Sequence, residues 1–184
     1  NNGQSLVPVF DRENAFSIGD IAVNWKNGTL WVGTGEVNSS RSSYSGLGVY
    51  KSKDHGKTWE YLGLPESHHI GKINLHPANN DIAWVAVLGH LYSPNKERGI
   101  YKTSDGGKTW NKLTSGLPSG DVGRIGLAIS PVNPDYVYAV VEAANDGSGF
   151  YRTTNRGASW EKMSDYKNVS AQYYSEIFCN PIDV

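Results

Sequence analysis

The sequence predicts an all-β chain of repeated four-stranded units, and three observations predict it. A twelve-residue block, Gly48 to Trp59, recurs at Gly99 to Trp110 and at Gly149 to Trp160. Its tryptophans stand 51 and 50 residues apart, which sets the period. A second block, Ile73-Asn74-Leu75-His76-Pro77, recurs as Leu127-Ala128-Ile129-Ser130-Pro131, ahead of the second and third copies of the first. Finally, 21 Gly, 11 Tyr and 6 Trp against a single Met favour strands and turns over helices.

Each period reads as four strands, a to d. In the middle unit, Gly71–His76 alternates Ile73 and Leu75 and is strand a. The run Ile82–Leu88 is almost continuously apolar and is strand b. Strand c is Gly99–Thr103 and strand d is Thr109–Leu113. The links carry Pro-x-Asn-x-Asp or Asp-x-Gly, which is turn chemistry. Ile21-Ala22-Val23, Asn27-Gly28 and Trp31-Val32 form a degenerate copy that opens the first unit, and Ile177-Phe178-Cys179-Asn180-Pro181 opens a last one. No segment reads as an amphipathic helix. Four-stranded units at this period are the signature of β-propeller blades of antiparallel strands. The expected units are 17–63, 70–114 and 122–164, with an opening strand over 174–184. Propellers close with about 4–8 blades, so three blades and a fraction are read as part of a larger propeller spanning 1–184. Open blade edges are a liability, and the segment is expected to fold poorly alone.

Composition narrows the function classes. A formal net charge of -1 argues against a nucleic-acid partner. No apolar run approaches the roughly 18 residues of a spanning helix, so no membrane insertion is expected. A single Cys excludes an internal disulfide, and Cys179, aligned with Leu75 and Ile129, reads as a small core residue. Gly56-Lys57-Thr58 and Gly107-Lys108-Thr109 lack the earlier Gly of a phosphate loop and precede a strand. The five His show no zinc-ligand spacing, so neither metal nor cofactor is expected. Asn27-Gly28-Thr29, Asn38-Ser39-Ser40 and Asn168-Val169-Ser170 match the glycosylation triplet.

The repeated block has a structural logic. In Ser52-x-Asp54-x-Gly56-x-Thr58-Trp59 the carboxylate accepts from nearby N–H and hydroxyl groups and builds the turn between strands c and d. Gly takes a positive φ, and Trp packs between neighbouring sheets. Thr103, Asp105, Gly107 and Trp110 repeat the pattern. Thr153, Asn155, Gly157 and Trp160 repeat it with Asn for Asp, and the amide oxygen still accepts. This motif resembles the Asp-box, or BNR repeat, of sialidase-type propellers.

Strand alternation puts the boxes and the short a–b turns on one face. The longer b–c and d–a loops lie on the other, and loops on a rigid scaffold carry function. The b–c loops Gly35–Leu47, Gly89–Arg98 and Glu142–Ser148 offer Glu36, Arg41, Tyr44, His90, Tyr92, Arg98 and Glu142. The d–a loops add His68, His69, Asp121, Tyr173 and Tyr174. Arg41, Tyr44, His69, His90, Tyr92 and Arg98 are the candidate ligand contacts. Glu36 and Glu142 leave strand b at nearly equivalent points and, with Asp20 and Asp121, are the candidate acids of a carboxylate pair.

The stretch from Gly71 through Leu91, followed by Glu97-Arg98-Gly99, resembles bacterial glycosyl-hydrolase-like BNR-repeat proteins and the sortilin-type propeller domain. Xyloglucanases and photosystem assembly propellers share the box more remotely. The resemblance implies a multi-bladed propeller, exported to the periplasm, cell surface or medium of a bacterium. It implies a recognition module that binds protein, peptide or glycan, with the rest of the propeller or neighbouring domains as partners. The alternatives are a glycoside hydrolase and a structural module of a surface assembly. The Arg-Ile-Pro segment and three-Arg cluster of sialidases have no match here. Asp20 and Asp121, ahead of strand a, are the nearest positions to the xyloglucanase Asp pair.

Overall fold

The computed structural model describes residues 2–168 and 171–184. Three four-stranded antiparallel sheets follow one another along the chain. The first holds β1 (Ile18–Asn24), β2 (Thr29–Thr34), β3 (Val49–Ser52) and β4 (Glu60–Tyr61). The second holds β5 (Ile70–Leu75), β6 (Ala83–Val87), β7 (Gly99–Thr103) and β8 (Asn111–Leu113). The third holds β9 (Val122–Ile129), β10 (Val137–Ala143), β11 (Gly149–Thr153) and β12 (Glu161–Ser164). Each sheet keeps its strands in sequence order, as a propeller blade does. Beyond the strands lie a 3-10 turn, Pro65–Ser67, and one short helix, α1 (Ala171–Tyr174).

The apolar run of β6 explains how blades stack. Successive side chains of a strand point to opposite faces. Ala83, Val85 and Val87 pack with Trp31, Val49, Leu62, Ile70 and Ile73, between the first and second sheets. Trp84 and Ala86 pack with Leu127, Ala139, Val141 and Tyr151, between the second and third. All five β6 residues are buried because both faces are covered.

The segment 174–184, expected as an opening strand, forms no strand among the described residues. Ile177, Phe178 and Cys179 instead line a recess with Ala128, Tyr138 and Phe150 of the third sheet. Cys179 is therefore partly exposed rather than a core residue. Val169 and Ser170 of the third glycosylation triplet, and the side chain of Tyr174, lie outside the described residues.

The boxes close the turns between β3 and β4, β7 and β8, and β11 and β12. Asp54 Oδ1 accepts from the Thr58 amide (2.9 Å) and from Ser52 Oγ (2.8 Å), while Oδ2 accepts from Thr58 Oγ1 (2.6 Å). Ser52 Oγ also accepts from the Gly56 amide at 2.8 Å. Asp105 repeats these contacts with Thr109 and Thr103. Asn155 Oδ1 accepts from the Ser159 amide (2.9 Å), but its Nδ2 donates to Ser159 Oγ (2.9 Å), so the hydroxyl bond reverses polarity.

The second and third boxes dock on the preceding blade, and the first docks on residues ahead of β1. Trp110 Nε1 donates to the Leu62 carbonyl (2.8 Å), and its ring meets Trp31 edge-on with centroids 6.3 Å apart. Lys51 lies over the Trp31 ring and donates to the Gly106 carbonyl (3.2 Å). Lys102 lies over Trp84 and donates to the Arg156 carbonyl (2.9 Å). Trp59 Nε1 donates to the Val9 carbonyl (2.6 Å), and Phe10 packs edge-on against Trp59 and Tyr50. Val9 thus meets the first box as Leu62 meets the second.

Two predictions follow from these turns. The bonds from the Thr hydroxyl and amide and from the Ser or Thr ahead of it hold the Asp54 and Asp105 carboxyls at about 2, against an ordinary 3.8. The stability this lends is complete above the ordinary value and is lost as pH falls through about 2. A carboxyl-carbon NMR titration should find both midpoints near 2, with Thr58→Val raising that of Asp54 and leaving that of Asp105 in place. Gly107 has φ 96°, and a Cβ there would lie 2.5 Å from Leu62 Cδ1. Gly107→Ala should lower the unfolding free energy by about 2 kcal/mol, read by urea denaturation.

Candidate functional site

The loop face is organised by bonds that cross from one blade to the next. Glu36 Oε2 accepts from the Tyr44 amide (3.2 Å), and the Glu36 amide donates to the Tyr44 carbonyl (3.0 Å). These two residues close their own loop, leaving the Tyr44 ring and Arg41 exposed. His69 is 3% exposed, and its Nδ1 lies 2.6 Å from the Glu36 carbonyl oxygen. Burial, aided by His68 and His90, pushes His69 below the usual histidine range, although the Glu36 contacts oppose this. It is a buried tie between loops.

Tyr92 belongs to the second blade, and its hydroxyl donates to the Ser40 carbonyl of the first blade's loop (2.6 Å). Arg98 spends its guanidinium on backbone oxygens: Nε on Leu88 (2.5 Å), Nη1 on Val122 (2.8 Å) and Nη2 on His90 and Ser93. Burial lowers the proton affinity of the guanidinium below its ordinary value, against Glu142 and Asp121, which raise it. Arg98 is a brace that ties the b–c loop of the second blade to the start of β9.

Glu142 lies inside β10 rather than in the loop expected after strand b, because that strand runs on to Ala143. Its Oε2 accepts from the Arg124 amide (3.0 Å). A Cβ on Gly123 would lie 2.1 Å from that oxygen, so the contact requires glycine. Asp20 lies inside β1 rather than ahead of it. Its Oδ2 accepts from the Ile73 amide (2.6 Å), 3.8 Å from Lys72 Nζ, and joins two blades. Burial raises the Asp20 carboxyl above its ordinary value, against the Ile73 bond and Lys72. Asp121 is exposed, and its carbonyl accepts from the Ala144 amide (2.9 Å).

Among the expected residues, Tyr92, Arg98 and Glu142 come together. They line a cleft of 250 Å³ with Ser39, Leu88, Leu91, Gly123 and Arg124. Glu36, Arg41, Tyr44, His69, His90, Asp20 and Asp121 are not part of its lining. A second cleft, of 280 Å³, lies between the second and third blades and shares Arg98. Sequence reading missed Arg124, a buried cation in the otherwise apolar strand β9. A charge inside such a strand was the available signal. It also missed Leu88 and Leu91, which carry no chemistry that marks them.

The cleft has one carboxylate, a tyrosine, two arginines and two leucines. That mixture suits recognition of an extended ligand with apolar and charged groups. Acid–base glycoside hydrolysis asks instead for two carboxyl groups flanking one bond.

Comparison with known proteins places the chain. The Sortilin-Vps10 family model, described as sortilin, neurotensin receptor 3, matches residues 48–180. The vacuolar protein sorting/targeting protein 10 of Blastomyces gilchristii is 30% identical over 124 residues, 64% of this chain and 8% of that protein. An oligoxyloglucan-reducing end-specific xyloglucanase of Emericella nidulans is 23% identical over 181 residues, 90% of this chain and 21% of that protein. The chain therefore spans a small fraction of the length of the curated relatives it matches. Among solved structures, the GH74 xyloglucanase of Xanthomonas campestris superposes with a TM-score of 0.61 at 19% identity, covering 83% of this chain and 22% of that one. The Niastella koreensis GH74 enzyme gives 0.57 at 19% identity, covering 79% and 22%. At these identities the structures speak for the fold, a segment of a larger propeller. With the family model matching most of its length, the chain belongs to the Sortilin-Vps10 family.

Proposed function

We propose that this chain is part of a recognition propeller that binds a peptide segment of a protein ligand through the loop face opposite the boxes, in an exported protein. The observation that carries the reading is the cleft lining: Tyr92 and the two leucines beside Arg98, Arg124 and a single carboxylate, Glu142. The apolar side chains suit a ligand's hydrophobic residue, and the charges fix its direction. Family membership supports the same reading, since its relatives include proteins named for sorting and targeting. The relation to named sorting proteins also supports a place outside the cytosol. No helix among the described residues is long and apolar enough to cross a membrane.

A second reading, hydrolysis of a polysaccharide, draws on the xyloglucanase relative that matches 90% of the chain. It needs a second acid beside Glu142, and the exposed Asp121 does not line the cleft. Glu36 closes its own loop and Asp20 bridges two blades. The remaining blades would have to supply the partner.

The full-length protein, probed with an immobilised array of random-sequence peptides and with xyloglucan oligosaccharides, distinguishes the two. Peptide binding should weaken by about tenfold in Tyr92→Ala and in Glu142→Gln, corresponding to about 1.4 kcal/mol. Hydrolysis of xyloglucan that Glu142→Gln abolishes, or peptide binding that both substitutions leave intact, overturns the proposal.

A further inference from the structure

The sequence spacing points to no metal site, because His68 and His90 belong to different loops of different blades. The fold brings them together. The His68 and His90 rings lie with centroids 3.8 Å apart and planes inclined at 39°. Glu66 Oε2 lies 3.6 Å from His68 Nε2. One donor atom from each of Glu66, His68 and His90 falls within 4.8 Å of the other two.

The backbone holds this arrangement in place. The Leu88 amide donates to the His69 carbonyl (2.8 Å) and the Gly89 amide donates to the Ser67 carbonyl (3.0 Å). These bonds extend the pairing of β5 and β6 beyond the sheet, and they set the d–a loop beside the b–c loop. His68 itself takes a left-handed φ of 49°, a conformation that costs energy in a non-glycine residue. Between Glu66 and His68, Ser67 is 3% exposed, and its Oγ has no hydrogen-bond partner among the described residues.

We propose that Glu66, His68 and His90 form a site for a divalent transition metal, with zinc as its natural occupant. Two imidazoles and one carboxylate suit a borderline ion, whereas calcium and magnesium prefer all-oxygen shells. Donors around tetrahedral zinc stand roughly 3.3–3.6 Å apart, so small side-chain rotations close the site. Exposed Glu66 and His90 have room for them. Three protein ligands leave a fourth position for water or for a donor atom of a bound ligand. The ion would clamp the first blade's d–a loop to the second blade's b–c loop. This inference stands apart from the cleft reading, since Glu66, His68 and His90 do not line that cleft.

The test is competition between the full-length protein and a chromophoric chelator for zinc, repeated with cobalt for its visible absorption. The native protein should take up zinc at this site and show cobalt bands of a nitrogen- and oxygen-ligated ion. His68→Ala and His90→Ala should each weaken zinc binding by at least about tenfold, and remove those bands. His90 is exposed, so chelator-treated His90→Ala and native protein should melt at the same temperature. Absence of zinc binding, or zinc binding that both substitutions leave unchanged, overturns the proposal.

Discussion

The joint between one blade's box and the preceding blade is the interaction on which the rest of the molecule depends. It has three repeated parts. The box tryptophan bonds to the end of the preceding blade, through Trp110 Nε1 to the Leu62 carbonyl in the second box and through the Trp160 amide to the Ser115 carbonyl in the third. The box glycine leaves room for the leucine there, Leu62 against Gly107 and Leu113 against Gly157. A lysine of the preceding strand c lies over its own sheet's tryptophan and donates to the box turn. Burial lowers the proton affinity of Lys51 and Lys102, so these ammonium groups stand in a partly desolvated joint. The polar turn and the apolar stack are therefore one device, and blade spacing follows from it.

That spacing determines what the loop face can do. Loops of adjacent blades are held close enough to exchange bonds: Tyr92 reaches Ser40, Arg98 reaches Val122, and His69 reaches Glu36. Charged residues that look like catalytic candidates in isolation are drawn into this bracing. Arg98 saturates four carbonyls, and Asp20 links two innermost strands. Glu142 alone among the carboxylates weighed as acids also faces the cleft. What remains beside these braces is a mixed surface of Tyr92, Leu88, Leu91, Arg124 and Glu142 supported on the blades.

The legible part of the fold was the part encoded locally. Strand c of the middle blade, read as Gly99–Thr103, coincides with β7, because the glycine ahead of it and the box behind it are turn signals only a few residues away. Strand d is shorter than the expected Thr109–Leu113, since the box hydrogen bonds hold Thr109 in the turn. The stretch at 174–184 carries a strand-like sequence but forms no strand, and Ile177 to Cys179 lie against the third sheet instead. The site was less legible. The pairing of His68 with His90, the reach of Tyr92 and the bond from Ile73 to Asp20 are long-range consequences of stacking, invisible in any window of sequence.

The central claim is that blades are coupled through the box joint, and the Trp31–Trp110 contact is its most direct side-chain handle. A double-mutant cycle with Trp31→Leu and Trp110→Leu, read by denaturant unfolding of the full-length protein, measures that coupling. The account predicts an interaction energy of about 1 kcal/mol, the ordinary worth of an edge-on aromatic pair. Strictly additive effects of the two substitutions would show that the box tryptophan belongs to its own blade alone, and would contradict the account.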